Sequence, residues 1–178
     1  MKGIVFTEFN DMVEEKFSPE LLDEIISECK LASGGAYTSV GTYEHTELVA
    51  MVGKLSEKTD IPADTLVYAF GEHLAVRFSE LFPAFFTQTT NVFDFMKSLD
   101  QHIHVEVKKL YPDAALPKFN FDDSNPACLV MEYQSSRGFA VLAHGLMTGV
   151  IKHYGESIDI TLERISGNHH VRFNLNKV

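Results

Sequence analysis

The amino-acid sequence predicts an α+β fold, in which helices come first and a small antiparallel sheet follows. Up to residue 111 the apolar residues recur at the spacing of amphipathic helices. After Pro117 apolar and polar residues alternate, which is the period of a half-buried strand. Further on, Ser166-Gly167-Asn168 separates two alternating segments, so the chain is expected to finish its sheet with a hairpin.

The helical part divides at its prolines and glycines. Ser18 is a good N-cap, and Pro19 suits the first position of the helix that follows. The glycine-containing segment 32–43 is predicted to be a loop about which the first helices bend over the rest. Glu8 lies off the apolar stripe of the first helix. The predicted helices cover residues 2–17, 19–30, 45–59, 62–81 and 91–111, with a short helical turn at 84–86.

The second part alternates strands with one helix. A short strand is predicted over 118–122, and a helix over 139–154 precedes the hairpin strands near 158–162 and 171–175. A longer strand starts at Leu129, and its alternation is expected to run on through Tyr133, Ser135 and Arg137. These three side chains would then lie on one face, about 7 Å from one to the next.

The length of 178 residues, with 45% hydrophobic composition, fits one domain. Residues 1–178 are predicted to form a single domain, in which about 1–62 make an N-terminal helical subdomain. Residues from about 63 to 178 make an α/β subdomain, and the helical lobe is expected to pack over it.

Charge and cysteine content exclude several classes of protein. A formal net charge of −10 disfavours nucleic acids and anionic membranes as partners and leaves basic proteins open. The first residues lack a signal peptide, and no apolar run approaches the length of about 20 residues that spans a bilayer. Cys29 and Cys128 are too few for a disulfide framework, and no CxxCH motif is present for covalent haem attachment. We therefore expect a cytoplasmic protein with reduced thiols.

Two histidines on the predicted long helix are candidate metal ligands. His102 and His104 flank the apolar stripe on opposite sides, each about 100° from its centre in a regular helix. A histidine on a helix flank is a natural axial ligand for haem iron. Helical geometry does not choose between the two, and half-exposed surface histidines fit the same positions equally well.

The polar end of the longer strand is a candidate binding site for carboxylates. The two hydroxyls of Tyr133 and Ser135 and the guanidinium of Arg137 can hold a pair of carboxylates, because arginine binds a carboxylate through two hydrogen bonds. A solvent-facing polar strand is the alternative. The same face continues apolar through Met131, which favours an amphipathic ligand.

These motifs together resemble the H-NOX (haem nitric oxide/oxygen binding) family. Tyr133-x-Ser135-x-Arg137 matches its YxSxR motif, and in the family the haem-ligating histidine precedes a Tyr-Pro pair at the spacing that His104 has to Tyr111-Pro112. That register selects His104 over His102. Further similarity lies at Met1-Lys2-Gly3, Gly34-Gly35-Ala36-Tyr37-Thr38, Gly41-Thr42-Tyr43, Phe82-Pro83-x-Phe85-Phe86 and Pro117. The chain is most similar to bacterial stand-alone members and to the haem domain of soluble guanylate cyclase.

The resemblance implies a non-covalent haem b with ferrous iron between the two lobes. His104 would be the proximal iron ligand, and Tyr133, Ser135 and Arg137 would bind the propionates. Pro117 would pack on the porphyrin and bend it. The distal wall is expected to consist of apolar side chains, namely Val5, Phe9, Leu74, Leu142 and Leu146.

The resemblance also bears on the gas that is bound. Members that hold oxygen stably carry a distal tyrosine where this chain has Leu142, and bound oxygen needs a hydrogen-bond donor whereas NO does not. His73 and His144 are nearby in sequence; His144 is expected outside the pocket, and the roles of His73 and His102 stay open. We read His169-His170 as surface residues, and two cysteines cannot build the cysteine-rich zinc site that some members carry.

We therefore predict a nitric oxide sensor that changes conformation and acts in trans, in two-component or related signal transduction. The resemblance implies a histidine kinase or a cyclic-di-GMP enzyme as its partner. One alternative is an oxygen or CO sensor, and another is a haem-free protein-interaction module of the same fold. An enzyme is not expected, because the sequence has no nucleophile elbow, HExxH motif or P-loop.

Overall fold

The computed structural model describes residues 1–178, with the exception of the side chain of Leu110. The helices are α1 (Gly3–Lys16), α2 (Pro19–Glu28), α3 (His45–Thr59), α4 (Ala63–Leu81), α5 (Pro83–Thr87), α6 (Val92–Ser98), α7 (His104–Leu110) and α8 (Ala140–Tyr154). The strands are β1 (Lys118–Asn125), β2 (Cys128–Gln134), β3 (Ile158–Ser166) and β4 (His170–Lys177). Among the described residues, no helix has the length and apolar character needed to cross a bilayer.

The α+β prediction is confirmed. The strands form one antiparallel sheet in the order β1-β2-β4-β3, with Met131 of β2 opposite both Phe121 of β1 and Phe173 of β4. β3 and β4 form the predicted hairpin. Helix α8 connects β2 to β3. Its buried side chains belong to the same hydrophobic cluster as those of β2 and β4, so helices cover one face of the sheet. Ser18 caps α2 as predicted, because its side chain accepts a hydrogen bond from the Leu21 amide at 3.1 Å.

The predicted long helix over 91–111 is interrupted by a π-helical turn. The turn covers Leu99–Ile103 and separates α6 from α7. A π-helical turn contains more residues per turn than an α-helix, so it rotates every later residue relative to a regular helix. The prediction that His102 and His104 lie symmetrically on two flanks is therefore wrong: His104 is partly buried and His102 is exposed.

Two strand boundaries also differ from the prediction. β1 continues to Asn125 instead of stopping at residue 122, and its pairing with β2 becomes irregular between Asp122 and Asn125. β2 ends at Gln134. Ser135 and Arg137 lie beyond it in a turn, so the expected strand-like alternation through Arg137 is wrong.

The hydrophobic interior consists of two clusters that share α4. Helices α1 to α4 form the N-terminal core, to which α4 contributes Leu66, Phe70 and Leu74. The second cluster, the C-terminal core, lies between the sheet and helices α4, α5, α6 and α8, and α4 contributes Ala75 to it. The partly buried Leu146 of α8 packs against both cores. The two cores thus meet along α4 and α8.

Helices α4 and α8 approach each other closely because glycines face each other where they cross. A Cβ atom on Gly71 would collide with the Leu142 carbonyl and the Gly145 backbone, and one on Gly145 would collide with the Tyr68 carbonyl. Only glycine permits this approach of two backbones. This contact fixes the positions of Leu142 and Leu146 of α8 along the axis of α4.

Glu8 is buried in the interface between α1 and α4, contrary to its expected position on the polar side of α1. The side chain of Glu8 is 6% exposed, and its Oε2 accepts a hydrogen bond from Arg77 Nε at 2.8 Å. His73 Nε2 lies 3.6 Å from the same oxygen. Arg77, which lies 69 residues from Glu8 in the chain, therefore provides the positive charge that makes burial of the Glu8 carboxylate tolerable.

The glycine-containing segment is anchored by a second buried carboxylate, Glu47 of α3. Its oxygens accept hydrogen bonds from the Ser33 hydroxyl at 2.5 Å and from the Tyr37 hydroxyl at 2.7 Å. Burial acts to raise the pKa of Glu47, but the hydrogen bonds from Ser33 and Tyr37 together outweigh it and hold the pKa below its usual range. The same segment also contacts the start of α1, because the Gly3 amide donates a hydrogen bond to the Gly41 carbonyl at 2.9 Å.

We predict that Glu47→Gln lowers the free energy of unfolding near neutral pH by about 1–3 kcal/mol, because an ionised acceptor holds the Ser33 and Tyr37 hydroxyls more strongly than an amide does. A lowered folded-state pKa stabilises the fold at pH values above the ordinary glutamate pKa, and this stabilisation is lost as the pH falls through the folded-state pKa. Urea unfolding between pH 7 and pH 3 measures both effects. Glu57→Gln on the same helix removes an exposed carboxylate and is expected to change little; equal effects of the two substitutions would contradict the assignment.

Candidate functional site

His104 begins α7 directly after the π-helical turn, and its side chain is 17% exposed. Leu99 and Ile103 of the turn are partly buried and pack against the C-terminal core. The turn thus directs His104 toward the interior while His102 stays exposed. Helical periodicity does not choose between His102 and His104, but only His104 is enclosed in the structure.

Asp100 holds the His104 ring in one orientation. Its Oδ1 lies 2.6 Å from His104 Nδ1, and its Oδ2 accepts a hydrogen bond from the backbone amide of Phe119 at 2.8 Å. A carboxylate at Nδ1 favours the tautomer with the proton on that nitrogen. The lone pair of Nε2 is then available to a ligand. The sequence predictions missed Asp100, although it lies four residues before His104.

The environment of His104 favours the neutral imidazole. Burial lowers its pKa below the usual range, and the hydrogen bond with Asp100 only partly offsets this effect. Only a neutral imidazole has a lone pair with which to bind a metal. Desolvation and the hydrogen bond therefore prepare His104 as a ligand through Nε2.

The predicted histidine and the predicted tyrosine both contact the ring of Phe119, the second residue of β1. The ring centroids of His104 and Phe119 are 6.0 Å apart with nearly parallel planes, and those of Phe119 and Tyr133 are 5.7 Å apart. Residues 29 positions apart in the chain thus contact the same aromatic ring. The structure brings His104 and Tyr133 together, and the sequence predictions missed Phe119 as the side chain that both contact.

Tyr133 is buried, with 2% of its surface exposed. Its hydroxyl oxygen accepts a hydrogen bond from the Phe139 amide at 3.1 Å. Burial raises the pKa of Tyr133, so the hydroxyl keeps its proton and can still donate it. A buried hydroxyl that accepts one hydrogen bond and retains a proton is suited to bind a carboxylate.

Ser135 and Arg137 are held together by a turn instead of by strand alternation. The Arg137 amide donates to Ser135 Oγ at 3.2 Å, and the Arg137 guanidinium donates from Nη1 to the Ala115 carbonyl at 3.3 Å. Ala115 lies two residues before Pro117, which is partly buried just ahead of β1. Arg137 therefore links the turn to the segment that contains Pro117.

His169, which we expected to be an uninvolved surface residue, contacts the motif. It is exposed, but its Nδ1 lies 3.0 Å from the Ser135 carbonyl oxygen, and its own carbonyl accepts the Ser135 amide at 2.9 Å. The His169 ring also lies so close that a Cβ atom on Gly138 would come within 3.0 Å of it, and Gly138 has a positive φ of 67°. The β3–β4 turn thus supports the backbone of the motif.

The predicted distal residues lie in or against the N-terminal core. Phe9 and Leu74 are fully buried members of it, whereas Val5, Leu142 and Leu146 pack against it and keep part of their surface exposed. Leu146 also contacts the C-terminal core. These five residues therefore lie in or against the N-terminal core, and Leu146 among them also borders the C-terminal core.

The two histidines near the predicted distal wall lie beside other side chains, and the buried Nε2 of His73 has no hydrogen-bond partner among the described residues. His73 lies beside Glu8 in the α1–α4 interface. His144 packs its ring against Tyr68, with centroids 5.0 Å apart, and against Phe173 of the sheet at 5.9 Å. A cavity of about 300 Å³ near His144, lined also by Asp64 and Arg164, is bordered by none of the predicted site residues.

Comparison with known proteins identifies the family. The family model described as Haem-NO-binding matches residues 2–162. The chain belongs to this family. A comparison with curated protein sequences gave no match. The family consists of haem-binding gas-sensor domains.

Solved H-NOX structures share the whole fold. The unliganded Fe(II) H-NOX protein from K. algicida is 39% identical, with a TM-score of 0.95 over 100% of this chain and 97% of that one. The Shewanella woodyi H-NOX protein, bound to IWP-051 in its Fe(II)CO state, is also 39% identical, with a TM-score of 0.87 over 100% and 95% of the chains. The S. oneidensis protein in its Fe(II)NO state is 24% identical with a TM-score of 0.92 and shows the fold alone.

The residues present fit a non-covalent haem. His104 offers one neutral nitrogen donor, and the apolar side chains at the junction of the cores suit a porphyrin. Tyr133 and Arg137 offer donors for carboxylates. Cys29 and Cys128 are free thiols, and the described residues include no cluster of three or more histidine, cysteine or acidic side chains arranged to hold a metal ion.

We predict that Asp100→Ala destabilises the protein by about 1–3 kcal/mol, because it removes the acceptor of the Phe119 amide and the partner of His104 Nδ1. Nitrogen NMR shifts of the His104 ring are expected to show a mixture of tautomers in the variant and a single tautomer in the wild type. Asp123→Ala removes an exposed carboxylate that pairs with Lys97 and is the matched control. An unchanged His104 tautomer in Asp100→Ala would contradict this role.

Proposed function

We propose that the chain is a haem-based nitric oxide sensor of the cytoplasm that regulates a separate signalling protein. The observation that carries this proposal is the His104 imidazole, which is largely buried and hydrogen-bonded through Nδ1 to Asp100, and whose pKa is lowered by burial. His104 would hold the iron of a haem b through Nε2. When bound there, haem would supply a ferrous iron able to bind a diatomic gas.

Three residues would hold the acidic edge of the porphyrin. Tyr133 would donate its hydroxyl proton, and Ser135 and Arg137 would add donors from the turn that follows β2. Pro117 would press on the porphyrin face, since Arg137 holds the segment before it through the Ala115 carbonyl. The family membership supports this assignment. Tyr133 and His104 have the least freedom to move among these residues, because Tyr133 is buried and His104 is largely enclosed.

We predict that His104→Gly loses the absorption spectrum of a histidine-ligated ferrous haem and that added imidazole restores it, because the substitution leaves a space where the ring was. His102→Gly, at the exposed histidine two residues before it, is the matched control and is expected to keep the wild-type spectrum. Visible spectroscopy of the reconstituted ferrous proteins measures both. If His102→Gly lost the spectrum and His104→Gly kept it, the ligand would be His102. A wild-type protein without a Soret band after reconstitution would favour the haem-free interaction module.

The distal side favours NO over oxygen as the signal. Val5, Phe9, Leu74, Leu142 and Leu146 would supply an apolar wall without a hydrogen-bond donor. Bound oxygen is polar and is stabilised by such a donor, whereas NO binds ferrous iron well without one. The two nearby histidines support the same conclusion, because His73 faces Glu8 and His144 packs on Tyr68 and Phe173.

We predict that Leu142→Tyr gives the ferrous protein measurable oxygen affinity, since the tyrosine hydroxyl would donate a hydrogen bond to the gas. Leu142→Phe has a ring of the same size without the hydroxyl and is the matched control. Absorption spectra recorded in air and under nitrogen distinguish the two variants. A wild-type protein that already shows a stable spectral change in air would support the alternative of an oxygen sensor. Spectra recorded with and without CO test the alternative of a CO sensor.

The output would depend on motion between the two parts of the chain. We infer that α7, which His104 begins, would transmit gas binding to the rest of the chain, and that a partner which contacts one conformation better would read the change. Residues of about 1–62 would move as one subdomain relative to 63–178. The family resemblance favours a histidine kinase or a cyclic-di-GMP enzyme as the partner. A pull-down with each candidate, with and without NO, tests this choice.

A further inference from the structure

The side chain of Lys2 is unusually enclosed for a lysine. It is 14% exposed, whereas the other lysines in the described ion pairs range from 22% exposed for Lys58 to 68% for Lys152. Long lysine side chains normally keep the ammonium group in water. The enclosure of Lys2 therefore indicates a specific set of partners.

The partners come from two distant parts of the chain. Lys2 Nζ donates to Thr42 Oγ1 at 2.6 Å and pairs with Asp113 Oδ1 at 3.0 Å. Thr42 Oγ1 in turn donates to Asp113 Oδ2 at 3.1 Å. The ammonium group also lies 4.5 Å from the centroid of the Tyr111 ring, within the range of a cation–π interaction. We call these four residues the Lys2 clasp.

On one side the clasp belongs to the N-terminal lobe. Lys2 precedes α1 directly and forms an antiparallel bridge with Thr42 in the glycine-containing segment. The neighbouring amides of Gly3 and Ile4, at the start of α1, donate to the carbonyls of Gly41 and Ser39. A displacement of Lys2 therefore acts on the first turn of α1.

On the other side the clasp belongs to the helix that His104 begins. Tyr111 ends α7, where its amide donates to the Val107 carbonyl at 2.8 Å, and Asp113 follows in a turn. A helix of this length spans about 10 Å, so α7 connects His104 at its start to Tyr111 and Asp113 just beyond its end. Among the described side chains, no other polar contact joins residues 1–62 to residues 104–117.

We propose that Lys2 is a positioning residue that couples the displacement of α7 to the N-terminal lobe. This rests on the proposed function, because it needs His104 to respond to a bound gas. Thr42 and Lys2 both hold the Asp113 carboxylate, so a shift of Tyr111 and Asp113 with α7 pulls on Lys2 and on the start of α1.

The test compares Lys2→Met, Lys2→Arg and Asp113→Asn with the wild type, and Lys109→Met is the matched control. Lys109 lies on α7 but pairs only with Glu106 of the same helix. Hydrogen exchange of the Gly3, Ile4, Tyr111 and Ala114 amides is measured in the protein without haem, in the ferrous protein and after addition of NO. Absorption spectra establish that each variant binds haem through His104.

In the wild type, NO is expected to change exchange at the Gly3 and Ile4 amides. This change is expected to shrink about fivefold in Lys2→Met and in Asp113→Asn, which is the low end of typical coupling between sites. Lys2→Arg, which keeps the charge, and Lys109→Met are expected to retain it. In the haem-free protein, Lys2→Met is expected to speed exchange at Tyr111 and Ala114, and Lys109→Met is not.

The proposal is overturned if Lys2→Met and Asp113→Asn keep the full NO-linked change at Gly3 and Ile4, or if the wild type with a normal haem spectrum shows no such change. Either result leaves the proposed haem site intact. A wild type without a haem spectrum overturns the proposed function first, and the coupling falls with it.

Discussion

The Asp100 carboxylate is the constraint on which the candidate site depends. One of its oxygens orients the His104 ring and the other holds the first residues of β1 through the Phe119 amide. A single side chain thus fixes the start of α7 relative to the sheet edge that carries Phe119 and, across it, Tyr133. The positions of the predicted iron ligand and of the predicted carboxylate donors are for this reason not independent of each other.

Much of the fold could be predicted because its signals are local. Ser18-Pro19, the prolines at 62 and 83 and the hairpin turn mark boundaries that the structure keeps within a few residues. The π-helical turn could not be predicted, because one extra residue in a helical turn leaves no mark in composition. Strand alternation misled at β2, where polar side chains continue the period beyond Gln134 although the backbone already turns. Glu8 was misplaced because Arg77, its partner, is far away in the chain.

The site residues were selected by a family motif, and periodicity alone left His102 and His104 equivalent. What separates them in the structure is the rotation introduced by the π-helical turn and the carboxylate four residues earlier. Asp100 was within reach of sequence reasoning, since residues four apart on a helix are neighbours. His169 was not, because its contact with Ser135 joins residues 34 apart and depends on the sheet register between β2 and β4.

Charge is distributed in a way that supports a ligand with carboxylates. The chain carries a net charge of −10. Near Ser135, however, there is an open groove that Lys118, His169 and His170 also line, and Arg137 is the next residue in the chain after the lining residue Ser136. An acidic protein gains solubility from its surplus of carboxylates, but that surplus repels any further anion. Lys118 and Arg137 place positive charge near Ser135 and the buried Tyr133 hydroxyl, where the acidic edge of an amphipathic ligand would lie. A neutral apolar ligand would have no carboxylate for these cations to bind, so this charge placement favours an anionic ligand.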